Sequence, residues 1–167
     1  KCSEVLNQQV SGKINIRTAT TLHESILLDM EKWRLELANE ICQKHGHLQL
    51  GEINHVTQII LNRFLFIRCV EDRKIEDLNY TREIVKNENI WDEIVDDVFP
   101  RFQASYNSDL FETDTLTDNK NLSISDAVLR SVLNGMHGTE EIYDFSIIPL
   151  EILGAAYENY LGKQLVR

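Results

Sequence analysis

Between Ile53 and Arg73 the residues Ile53, Val56, Ile60, Phe64, Ile67 and Val70 recur three or four positions apart, the spacing of one helix face. From Ile59 onward a second face is apolar too, through Leu61, Leu65, Phe66 and Cys69. A helix that is apolar nearly all round belongs inside a protein. Asn62, Arg63 and Arg68 interrupt the run, and it is too short and too broken to span a bilayer. The pattern therefore predicts an all-α fold, an irregular helical bundle around a buried central helix at about 53–73.

Other stretches carry the same period. Ile26, Met30, Trp33, Leu37 and Ile41 form a stripe behind the capping-box pattern Thr21-Leu-His-Glu24, with Glu31, Lys32, Arg34, Glu36 and Glu40 mostly on the other side. This helix should end near Lys44, with Gly46 taking the left-handed conformation that stops it. Lys74 to Asn89 is polar, with a short helix expected near Thr81 to Val85. Ile90, Trp91, Ile94, Val95, Val98, Phe99 and Phe102 predict another helix, which Pro100 should end or kink at Phe99. Tyr106 to Phe111 supplies turn residues between aromatic anchors, and Glu112 to Asn121 an acidic loop. Ser123 or Ser125 caps a helix through Leu133 that buries Val128, Leu129, Val132 and Leu133. Asn134 to Glu141 reads as a loop in which His137 is solvated. In the last stretch Pro149 fixes a helix start, Leu150, Leu153, Tyr157, Tyr160 and Leu161 face inward, and Gly162 and Lys163 end it. There Gly154, Ala155 and Ala156 leave a thin face on which a neighbouring helix can dock. Lys1 to Thr20 has no helical period; the alternation Lys13-Ile-Asn-Ile-Arg17 cannot make a sheet alone, so residues 1–20 read as a connecting arm.

Composition narrows the function. A chain of 167 residues with two Pro and seven Gly is one helical domain that buries about two thirds of its unfolded surface. A net charge of −10, with Lys and Arg scattered, opposes a nucleic-acid clamp. Cys2, Cys42 and Cys69 are odd in number and lack framework spacing, which suits a reducing cytoplasm. No signal peptide or membrane segment is visible, and both ends read as cut from a longer polypeptide.

Few residues suggest chemistry. Cys42, His45 and His47 make a C-x-x-H-x-H pattern, but no second ligand pair follows, so a polar loop outweighs a zinc site. Asp118-Asn-Lys120 mimics a nuclease Asp-x-Lys fragment, yet lies in a polar loop without a strand. Arg63 and Arg68 on a buried helix need carboxylate or carbonyl partners. Asp72 can pair with Arg68 at i,i+4, whereas Arg63 requires a carboxylate or helix end from elsewhere. The structural reading of both arginines outweighs phosphate binding.

The closing motif, YDFSIIPLEILGAAYENYLGK, resembles the segment ahead of the catalytic domain in Type IIG restriction–modification enzymes and related adenine-specific DNA methyltransferases. Trp33-Arg-Leu-Glu-Leu-Ala38, Leu61 to Arg73 and Tyr106 to Glu112 support it in the same order, so the resemblance covers about Thr21 to Lys163. One departure is Lys74, where related sequences often carry Gly; it bears on the turn that follows.

The resemblance implies a non-catalytic helical connector at 21–163, with 164–167 starting the link to a methyltransferase domain and an endonuclease on the other side. The parent would use S-adenosylmethionine and a divalent metal; no cofactor, metal or catalytic residue is assigned to this chain. Its partners would be the flanking domains, and DNA through the parent, with no membrane. The chain has no Pro-Pro for the Asn/Asp-Pro-Pro-Tyr/Phe loop that adenine methylation needs, and no glycine-bearing loop after a strand for the cofactor. Two alternatives stand beside this. One is a DNA-contacting helical module using Arg63, Arg68, Arg73, Lys74 and Arg82; the other is a protein-interaction domain unrelated to restriction.

Overall fold

The structure, a computed structural model, describes residues 22–75, 79–114, 116–117, 121–138 and 143–148. The expected arm at 1–20, the Thr21 cap, the Asp118-Asn-Lys120 fragment, the helix at 149–163 and the link at 164–167 lie outside them. Among the described residues all regular structure is helical, and no helix is long and apolar enough to cross a membrane.

Helix α1 (Leu22–Lys44) and helix α2 (Leu50–Asp72) pack side by side as a hairpin. The α1 stripe is buried as its spacing requires, with Ile26, Leu37 and Ile41 fully enclosed. It ends at Lys44, but Gly46 is not left-handed; among the described glycines only Gly138 is, at φ 79°. A turn closed by Leu48 N–H to His45 O (2.9 Å) does the stopping instead, with Leu48 and His45 buried beneath it. Helix α2 starts a turn earlier than the apolar run because Glu52 reaches back to accept from Gln49 N–H (2.7 Å). Its interior face is buried as the pattern demands, including Ile60, Phe64 and Ile67.

Helix α3 (Tyr80–Ile84) is the expected short segment. Helix α4 (Ile90–Glu93) then runs into a π-helical turn, Ile94–Val98, and on into α5 (Phe99–Tyr106). The helix does not stop at Phe99. A proline clashes with the carbonyl four residues back and donates no hydrogen bond. The chain absorbs this by widening one turn, so that Phe99 N–H bonds Ile94 O, five residues back. Continuation is favoured because Phe99 and Phe102 are both buried in an aromatic cluster with Phe64, Phe66, Tyr106 and Phe111. Each such ring contributes about 1.5–3 kcal/mol by burial.

After a 3-10 turn, Asp109–Phe111, the chain returns to helix α6 (Asp126–Gly135), which packs on α1, α3 and α4. Leu129, Val132 and Leu133 are buried, while Val128 is only partly covered. Ser125 occupies the cap position without capping through its own side chain; its N–H is taken by Glu40 of α1 (2.9 Å). Asp126 in turn accepts from Asn89 N–H and Ile90 N–H, and so caps α4 from a neighbouring helix. At the far end of α6 an added Cβ on Gly135 would sit 2.6 Å from Trp33 Nε1, so only glycine lets α6 lie against α1 there.

Candidate functional site

The densest polar chemistry sits where α2 ends. Arg68 and Glu71 are one turn apart and both buried, and neither charge could be there alone. Arg68 spans two carboxylates, Glu71 Oε2 at 3.0 Å and Asp72 Oδ2 at 2.6 Å. Asp72 is the partner expected from the sequence; Glu71 is a further one. Glu71 also accepts from Thr81 N–H (2.8 Å) and from Thr81 Oγ1 (2.5 Å), which ties the start of α3 to the end of α2.

The proton count along this chain is fixed. Thr81 has one hydroxyl proton and gives it to Glu71, so His137 Nε2, 2.9 Å from Thr81 Oγ1, must donate. His137 Nδ1 is then a bare acceptor for Arg82 Nε at 3.3 Å. The imidazole is held neutral. Burial first, then the charges of Arg68 and Arg82, push its pKa down from 6.5 to about 3. His137 is therefore not the solvated loop histidine its polar, Gly-containing surroundings suggest; it is 9% exposed. Asp72 meanwhile accepts from Phe145 N–H (2.8 Å), and the Arg68 guanidinium lies 5.4 Å from the centre of the Phe145 ring. Tyr143, two residues earlier, donates to Asp29 of α1 (2.5 Å) and packs edge-on to Trp33.

Arg63 serves a second internal junction. It is 1% exposed, donates to Leu110 O (2.9 Å) and Glu112 O (2.8 Å), and lies 4.6 Å from the centre of the Phe99 ring. These two bonds fasten it to a turn end supplied from elsewhere in the chain, through backbone carbonyls. Arg73 and Lys74 are exposed, as is Arg82. Of the residues named for DNA contact, Arg63 and Arg68 thus face the interior while Arg73 and Lys74 face solvent. Lys74 is left-handed at φ 54°; its N–H bonds Glu71 O, and Ile75 N–H bonds Val70 O, the two bonds of a Schellman stop. The backbone at this position is the kind that favours glycine.

The cysteine–histidine pattern does not converge. Cys42 is buried, His45 Nε2 is held by the Ser123 backbone (3.1 Å from its N), and His47 is exposed. His55 instead pairs with Asp114 at 3.0 Å. Burial would raise the Asp114 pKa, but bonds from His55, Thr117 and Leu116 outweigh it and hold it at about 2. Burial raises the Cys69 thiol to about 11, which keeps it protonated and unreactive. Among the described residues no group of three or more His, Cys, Asp or Glu side chains is placed to hold a metal ion. The cluster around Arg68 joins the end of α2 to the start of α3, to His137 and to Phe145.

No family model matches the chain, and no solved structure does. Among curated proteins it is similar to a Type II restriction enzyme and methyltransferase, RM.Eco57I, of Escherichia coli. The two are 25% identical over 148 residues, which is 87% of this chain and 14% of that relative. The chain thus spans about a seventh of the length of the protein it matches.

Proposed function

We propose that the chain is a helical region of a restriction–modification enzyme, a connector that holds a methyltransferase domain, and an endonuclease, in fixed relation. The observation that carries this reading is the match of most of the chain to a small part of a restriction enzyme and methyltransferase. The use of the chain's buried charge supports it. Arg63 and Arg68 bind carbonyls, carboxylates and aromatic rings of the same chain, so the interior is committed to stiffness. A packed bundle is stiffer than a linker of the same length, which suits a part that sets the distance between two catalytic units. Under this reading S-adenosylmethionine and a divalent metal belong to the neighbouring units. The flanking coding sequence tests it: an Asn-Pro-Pro-Tyr motif is expected downstream, and its absence, with no methyltransferase on either side, overturns the proposal.

A second reading rests on the exposure of Arg73, Lys74 and Arg82. A DNA-contacting module would bind duplex DNA with an affinity that falls steeply with salt. The net charge of −10 opposes it, and binding that is absent at low salt removes it.

A further inference from the structure

Two polar networks meet at one side chain. On one side Glu71 gathers Thr81 and, through its hydroxyl, His137. On the other Asp72 holds the amide of Phe145. His137 and Phe145 come from different stretches, the end of α6 and the segment Tyr143–Ile148. The two carboxylates are adjacent in sequence, and one planar guanidinium, that of Arg68, bonds both through separate nitrogens. Arg68 also packs on the Phe145 ring, while Phe145 and Ile148 are buried.

We infer that Arg68 makes these contacts a single latch, so that the start of α3, the end of α6 and the segment Tyr143–Ile148 are held and released as one unit. The physical reason is geometric. A bidentate arginine between two carboxylates fixes each against the other, and loss of either leaves the guanidinium buried with one partner. Glu71 cannot move without Arg68 shifting, and Asp72 then loses the position that fits the Phe145 amide. Sites joined in this way open cooperatively and influence each other reciprocally. The inference goes beyond the connector reading and does not depend on it.

Amide hydrogen exchange by NMR on the whole chain tests it, with Thr81→Val as the probe. Thr81 has no hydrogen bond to Phe145, yet its loss of the hydroxyl bond to Glu71 is expected to speed exchange at the Phe145 amide by about 10-fold or more. Phe111→Leu, a core variant at a residue outside the bonds that join Glu71, Thr81, His137 and Phe145, supplies the control and should leave that amide much slower. Faster exchange at His137 alone, with Phe145 as in the parent, overturns the inference. So does an equal effect of Phe111→Leu, which would mean global unfolding only. Should Thr81→Val fail to fold, Asp72→Asn reads the coupling in reverse, with faster exchange expected at Thr81 and unchanged exchange there contradicting it.

Discussion

Replacing Glu71 with Gln keeps the size of the side chain and removes its charge, so the cost reports the polar network rather than packing. Three donors now converge on the carboxylate: Arg68 Nη1 at 3.0 Å, Thr81 N at 2.8 Å and Thr81 Oγ1 at 2.5 Å. An amide offers one oxygen. If that oxygen faces Arg68 and the Thr81 hydroxyl, the new NH2 points at Thr81 N–H. If it faces Thr81 N–H instead, the NH2 points at Arg68. The Thr81 hydroxyl would then have to turn toward His137, whose second nitrogen already accepts from Arg82. Either orientation sets donor against donor in the interior. Breaking a buried ion pair costs about 3–5 kcal/mol, and since Arg68 retains Asp72 the lower end is expected, about 3 kcal/mol. In urea, with a slope of roughly 1–3 kcal/mol per molar, the midpoint should fall by about 1–3 M with the slope unchanged. A shift worth less than about 1 kcal/mol would refute the claim that Glu71 is the ionised acceptor at the centre of this cluster.

The same cluster sets a pH dependence. His137 is held near 3 in the folded chain against an ordinary 6.5, so the unfolded chain takes up the proton first as pH falls. Its contribution is complete above 6.5 and lost on acidification toward 3, by at most about 1.4 kcal/mol per pH unit. Urea midpoints between pH 6.5 and about 5 should decline less steeply in His137→Gln than in the parent, and parallel slopes would contradict the assignment. Lys74→Gly should stabilise the chain by about 1 kcal/mol in thermal melts, because glycine adopts the left-handed backbone without the penalty lysine meets; destabilisation would count against the Schellman stop. Gly135→Ala should cost roughly 1–3 kcal/mol, since its methyl would meet the Trp33 indole, and a neutral outcome would mean α6 and α1 do not approach so closely.

What the sequence revealed follows from the range of each interaction. The stripes of α1 and α2 are local and periodic, so both helices and their buried faces were legible, as was the i,i+4 pair of Arg68 with Asp72. The Glu71–Thr81–His137 chain was not. Bonded neighbours in it are separated by up to 56 positions, and each alone looks like an ordinary polar residue beside a loop. A glutamate one turn from a buried arginine was the signal available. Pro100 misled because local rules treat it as a stop, whereas the aromatic residues around it reward a continued helix with a widened turn. Gly46 misled in the other direction: the buried turn at His45 and Leu48 ends α1 without a left-handed residue. For Arg63 the need for an external partner was legible, but that backbone carbonyls of Leu110 and Glu112 supply it depends on tertiary packing.

A helical unit that only positions chemistry done elsewhere, as proposed, has no turnover of its own. Incubating the purified chain with duplex DNA, S-adenosylmethionine and a divalent metal, and following methyl incorporation and strand cleavage, puts it to the most direct test. Both signals are expected to stay at the level of a protein-free blank. Turnover that scales with the amount of chain, in either assay, would contradict the account.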